Sequence, residues 1–183
     1  MSVEDGKISL DTKITPIFEP TSLDNLFIFN DTDDQVVVTI EHLLTHTFGV
    51  NDYFVCKTIN SCKFLSEVIN NPDTFWTPSS LINFTRENQV AVGKTGSIFL
   101  YPDTGFVLFG LIIQILYGAL FSDCLDYYIF KPTQMNDSCF AFYNDNFKAE
   151  ELALLFLEDK DVHIYRSLSY GSPGGVYQRP QLT

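Results

Sequence analysis

The sequence predicts a mainly helical domain, and three observations carry that expectation. Residues 104–118 form an apolar run without a charge, placed directly behind a proline-containing turn. Thr39 and the Thr77–Pro78 pair are helix-start signals standing ahead of apolar residues at helical spacing. The composition, 45% hydrophobic over 183 residues, suffices for one domain with a buried core.

The long apolar run organises the rest. Pro102 fixes its own φ and biases Tyr101 away from the α region, so the helix begins after the turn. Asp103 and Thr104 then read as its N-caps, because a short side-chain oxygen can accept from the unpaired N–H groups of a first turn. Tyr101 and Asp103 thereby stand at the positive end of a buried helix, an address where a hydroxyl and a carboxylate are tuned by the dipole.

In chain order, residues 1–19 read as the tail of a helix, a turn at Gly6 and an extended connector broken by Pro16 and Pro20. Asn30-Asp-Thr-Asp-Asp34 gathers carboxylates but lacks the glycine and closing glutamate of an EF-hand, so it reads as a solvated acidic turn. Residues 36–40 are β-like, and Thr39 then caps a short helix ending at Gly49. His42 and His46 lie four apart on it, a spacing that can bind zinc. The glutamate of His-Glu-x-x-His is missing and no third ligand follows, so no metal site is assigned and His46 is expected to be hydrogen-bonded inside the fold.

Residues 61–70 carry a helical stripe of Phe64, Leu65, Val68 and Ile69 ended by Asn71-Pro72-Asp73, and Thr77–Pro78 opens another helix to about Asn88. Residues 121–128 continue helically, and residues 149–158 have helix propensity. Residues 171–175 read as flexible and 178–183 as a frayed tail.

The net charge of −12 repels a phosphate backbone, which argues against nucleic acid and against docking on anionic membranes. The four cysteines have neither Cys-x-x-Cys spacing nor disulfide-scaffold density. The polar start Met1-Ser-Val-Glu-Asp-Gly-Lys has no signal-peptide character, and the sequence assigns no compartment. A helix hydrophobic all round suits a core or a membrane. Asp103, Asp123 and Asp126 at the flanks, Gln114 within the run and the want of a Lys/Arg cluster favour the core, so no membrane span is expected.

Tyr101-Pro-Asp-Thr-Gly-Phe-Val-Leu-Phe-Gly110 resembles the Tyr-Ser-Asn/Asp-x-Gly-Tyr-x-Leu-Leu-Gly segment of the serine β-lactamase-related family, which includes class C β-lactamases, D-peptidases and related esterases. Thr39-Ile-Glu-His-Leu-Leu-Thr-His-Thr-Phe-Gly49 is similar to that family's Thr-Ile-x-x-Leu-Leu-Thr-His-Thr-Ser-Gly, with Phe48 where serine is common. Ile129-Phe-Lys-Pro-Thr-Gln-Met-Asn-Asp-Ser138 resembles Ile-Phe-x-Pro-Leu-Gly-Met-x-Asp-Thr. Asp5-Gly-Lys-Ile-Ser-Leu-Asp11 and the glycine-rich Ser167-Leu-Ser-Tyr-Gly-Ser-Pro-Gly-Gly175 resemble the family's flanking stretches in the same order. Lys94-Thr95-Gly96 matches the family's third motif by letters only, since it lies before Tyr101 where a Pro-Gly-x turn is usual.

The resemblance implies the α-rich portion of a β-lactamase/transpeptidase-like α/β fold, truncated at both ends, with residues 1–183 as one partial domain. It implies acyl transfer on amide, ester or β-lactam carbonyls of a small-molecule or peptide substrate, with no cofactor. Tyr101 would assist proton transfer, and Asp103 would replace the usual asparagine that positions nucleophile or substrate. The family's Ser-x-x-Lys would fall upstream of Met1, and its Lys-Thr-Gly or His-x-Gly beyond Thr183. The 183 residues alone are therefore expected to be inactive, with an uncovered apolar surface that favours self-association. A non-catalytic binding or scaffold protein that retains the helical part of the fold is the alternative, favoured by Pro102 in place of serine.

Overall fold

A computed structural model describes residues 2–54, 59, 64–143, 153–157, 159–174 and 177–178. The helices are α1 (Ile40–Leu44), α2 (Phe64–Asn70), α3 (Pro78–Asn88), α4 (Asp103–Tyr117) and α5 (Phe121–Leu125), the last running on into a π-helical turn, Asp126–Phe130. Short 3-10 segments span Thr15–Ile17 and Arg166–Gly174. Strands are two residues long: β1 (Ile28–Phe29) pairs antiparallel with β2 (Thr32–Asp33), β3 (Ser138–Cys139) with β6 (Tyr177–Gln178), and β4 (Phe156–Leu157) with β5 (Lys160–Asp161). The described part is thus helix-rich, with strands serving only as clips between loops.

Helix α4 is the centre, packed by α1, α3, α5 and the Arg166–Gly174 segment. It buries Thr104, Gly105, Val107, Leu108 and Ile112, residues that recur at helical spacing along one face. Gly105 allows close approach, since a Cβ there would stand 3.1 Å from the Phe48 ring. The helix stops at Gly118, in the left-handed region at φ 61°, whose N–H donates to the Gln114 carbonyl. The Gln114 side chain accepts from Phe121 N–H at 3.2 Å and so fixes the turn into α5. The two helical segments meet there at 82°.

Around α4 a core forms from Ile14, Phe27, Val38, Ile40, Leu43, Phe48, Tyr53, Phe64, Val68, Leu81 and neighbours contributed by nearly every element. A smaller cluster of Leu125, Phe130 and Phe140 lies under the π-helical turn. The N-terminal segment closes over the far end of α4: Lys7 Nζ donates to the Leu116 carbonyl at 3.1 Å, and Tyr117 donates to Asp5 at 2.6 Å. A lysine at the carbonyl end of a helix is favoured by the dipole.

The start signals at Thr39 and Thr77 are both used. Thr39 accepts from His42 N–H in a reciprocal capping box, and Thr77 accepts from Ser80 N–H with Pro78 at the first helical position. Several expectations are corrected. Residues 36–38 form no strand; Val38 is buried while Val36 and Val37 are exposed in a turn. The acidic turn is present as expected and closes the β1–β2 hairpin, with Asn30 and Asp31 both at positive φ as a tight two-residue turn requires. Phe156 and Leu157 are strand rather than helix, the rest of residues 149–158 lying partly outside the described residues.

The glycine-rich stretch is 3-10 helix through Gly174 and is anchored from its first turn. Ser167 N–H donates to the Pro72 carbonyl, Ser167 Oγ to the Val68 carbonyl at 2.7 Å, and Ser169 Oγ accepts from Trp76 N–H at 2.7 Å. Tyr177 and Gln178 pair with β3, and residues 179–183 lie outside the described residues.

Candidate active site

Two loops meet in front of α4: residues 46–52, which follow α1, and residues 92–103, which lead into α4. Backbone bonds stitch them together, Val92 N–H to Gly49 O at 2.8 Å, Gly96 N–H to Thr47 O at 2.7 Å and Leu100 N–H to His46 O at 3.1 Å. Gly49 is required at the tightest point: its φ is +78°, and a Cβ would lie 2.1 Å from the Gly93 carbonyl oxygen. Asp34, buried beside the hairpin, accepts from Thr95 N–H at 2.9 Å and pins the second loop from the other side.

The N-terminus of α4 is capped from a distance. Pro102 occupies the cap position without a side-chain acceptor, and Asp103 is the first helical residue, so neither Asp103 nor Thr104 serves as the N-cap. Asp52 does that work instead: its Oδ2 accepts from Asp103 N–H at 3.1 Å and its Oδ1 from Phe54 N–H at 2.6 Å. Asp52 is buried, and its carbonyl accepts from the Gln89 side chain at 2.7 Å, which ties the cap to the end of α3.

Tyr101 stands on the rim, 55% exposed. Its ring packs on His46 at 4.4 Å between centroids and on Phe106 at 5.4 Å. His46 lies beyond the end of α1 at φ +55°, its ring also against Phe106 and Phe99, and its Nδ1 is buried without a hydrogen-bond partner. The expectation of a hydrogen-bonded His46 is thus replaced by an aromatic wedge. His42 turns its Nδ1 back to Thr39, so the two histidines do not converge. Among the described residues no group of His, Cys, Asp or Glu is placed to hold a metal ion.

Asp103 sits half-buried beside Asp52. Burial, and then the Asp52 charge, hold its carboxyl above the ordinary carboxylate value. The positive end of α4 acts in the opposite sense. Tyr53 lies in the same environment, its phenol pushed well up by burial first and then by Asp103 and Asp52, with its hydroxyl 3.5 Å from the Tyr170 carbonyl. Tyr101 and Asp103 therefore share one turn but differ in setting, a phenol in the open above a carboxyl that resists ionisation.

The structure places both residues singled out in the sequence on the turn where they were expected. Asp52 and the His46 wedge were missed. His46 was legible only as part of a motif, and Asp52 had no local signal because its partner lies in a distant part of the chain. Lys94-Thr95-Gly96 lies in the second loop rather than on a strand. No single helix among the described residues is long and apolar enough to cross a membrane; α4 and the residues 121–130 segment meet that criterion only as a bent pair.

No curated protein matches the chain. Solved structures do. The D-amino acid amidase from Ochrobactrum anthropi SV3, complexed with L-phenylalanine, is 25% identical with a TM-score of 0.72, the match covering 98% of this chain and 46% of that one. A penicillin-binding protein from Bacillus halodurans is 26% identical with a TM-score of 0.61, over 90% of this chain and 45% of that one. The octameric penicillin-binding protein homologue from Pyrococcus abyssi is 25% identical with a TM-score of 0.59, over 98% and 35%. The chain spans less than half the length of these solved relatives. The family model described as Beta-lactamase matches residues 1–151, which include both site loops and the whole of α4, and the chain belongs to that family.

Proposed function

We propose that these residues are the tyrosine-bearing portion of a serine hydrolase that transfers acyl groups from amide, ester or β-lactam carbonyls, with residues 1–183 forming one partial domain. The observation that carries this reading is the Tyr101-Pro102-Asp103 turn at the N-terminus of α4, with an exposed phenol on a fixed support. In the proposed mechanism the Tyr101 hydroxyl takes the proton of a serine nucleophile and returns it to the leaving group. Asp103, half-buried beside Asp52 with its carboxyl held above the ordinary value, positions nucleophile or substrate. The amidase activity named for the Ochrobactrum enzyme makes small amides the first substrates to try.

The 183 residues contain no Ser-x-x-Lys. Ser167 is fully buried with its hydroxyl donated to a backbone carbonyl, which withdraws it as a substitute nucleophile. We therefore propose that this chain alone does not turn over. Incubation with a fluorescent penicillin and an activated ester, followed by intact-mass spectrometry, is expected to show no covalent adduct; a stoichiometric acyl adduct on any serine overturns that. In any chain joining these residues to a Ser-x-x-Lys segment, Tyr101→Phe is expected to lower kcat by about 10²–10⁴, the usual worth of a proton-transfer group. An unchanged kcat removes Tyr101 from the mechanism. Self-association belongs to the same proposal, and the octameric state named for the Pyrococcus homologue supports it.

A further inference from the structure

A pocket of about 400 Å³ opens between the turn at residues 18–23 and the outward sides of α3 and α4. The volume lies within the range of sites for small organic ligands, about 300–1,000 Å³. Its floor is apolar: Leu23 and Ile82 are buried, Leu111 is half-buried, and Ile115 is 49% exposed. One wall is the half-buried Arg86, a cation in a chain of net charge −12.

Two features distinguish this wall from ordinary surface. Arg86 donates one Nη2 bond to the Ser22 carbonyl, and its Nε is buried without a hydrogen-bond partner. A guanidinium carries five donors, and a carboxylate is the group whose two oxygens match its fork. At the rim Thr21 holds φ +72°, a strained conformation for a β-branched residue and one that recurs where ligands are clamped. Glu19 also stands at the rim, but it is exposed to solvent, which screens its repulsion of an anion.

We propose that this pocket binds an amphipathic monocarboxylate, its alkyl or aryl part laid on Ile82, Leu111 and Ile115 and its carboxylate on Arg86. The guanidinium is pre-placed by the Ser22 bond, and the carboxylate meets its Nη edge, since the Nε is buried beyond the reach of a ligand. The site is independent of the Tyr101 turn, so it stands or falls apart from the hydrolase reading.

Octanoate titrated into the chain with isotopically labelled isoleucine δ-methyls tests it. Saturable shifts are expected at Ile82 and Ile115, with Ile14 and Ile164 silent. Octanol, which has the same chain without the charge, is expected to bind at least tenfold more weakly. Arg86→Gln should lose at least tenfold in octanoate affinity, and Arg86→Lys, which keeps the charge but not the fork, should fall between. Absence of saturable shifts at Ile82 and Ile115 overturns the proposal, as does equal binding of octanol, tighter binding of octylamine, or an Arg86→Gln variant that binds like the parent. Where either variant fails to fold, the comparison of octanoate, octanol and octylamine on the unaltered chain decides alone.

Discussion

Asp52 and Asp103 show how one residue pair sets the chemistry of the turn. Because the folded state holds the Asp103 proton more tightly than its ordinary value of 3.8, the fold is favoured below that value. Stability is then lost as pH rises through the raised folded pKa, and the cost persists at neutrality. Asp103→Asn removes the titration: thermal melts are expected to show a higher Tm at pH 7 and a flatter profile above pH 4, and an unchanged profile would contradict the burial assigned here. Asp52→Ala does the reverse, since it strips an acceptor from two backbone N–H groups. A loss of about 1–3 kcal/mol in urea unfolding is expected, the cost of buried donors left unpaired. Gly49→Ala should cost about 1–2 kcal/mol from its left-handed backbone alone, with the contact against Gly93 O added to that, read as a fall in urea midpoint. Asp103 was visible in the sequence because it is adjacent to the proline that starts the helix. Asp52 was not, because its capping partner is fixed only when two remote loops meet.

At the scale of elements, α4 carries the most burial and should be the least tolerant of cavities. Ile112→Ala is expected to destabilise by about 2–5 kcal/mol, while Ile115→Ala, on the exposed side of the same helix, should change little; chemical denaturation of both variants checks the contrast. Period and capping chemistry made α1, α3 and α4 legible, because each has its start signal within a few residues of its apolar stripe. Where the stabilising partner is distant, the sequence misled. Residues 36–38 have strand composition but spend their backbone on residues 13–15: Ile14 N–H bonds Val38 O, and Lys13 bridges Thr39. Residues 171–175 read as flexible from their glycines, yet residues 171–174 continue a 3-10 segment whose first turn Ser167 and Ser169 tie to α2 and to the turn at residues 72–76. Glycine content reports what the backbone is free to do, and the serine bonds decide what it does.

For the whole molecule, the rim of the Tyr101 turn is unusually apolar for a solvent-facing loop: Val90, Phe99 and Tyr101 are more than half exposed, and Ile98 and Val92 stand beside them. Sedimentation velocity on the isolated chain is expected to show concentration-dependent association that weakens when Phe99 is changed to Ser; a monomer at all concentrations would count against that surface as sticky. The family identity was readable because its motifs fall in order along the chain, whereas the support of the turn was not, being assembled from residues 34, 46–52 and 89 that share no local pattern. That support has a kinetic side. The backbone bonds of Val92, Gly96 and Leu100 join the loop that leads into α4 to the loop that carries Asp52, so separating the two loops also releases the cap of α4. Their amides should therefore exchange with solvent hydrogen as a single slow group, at the pace of the helix rather than of a loop.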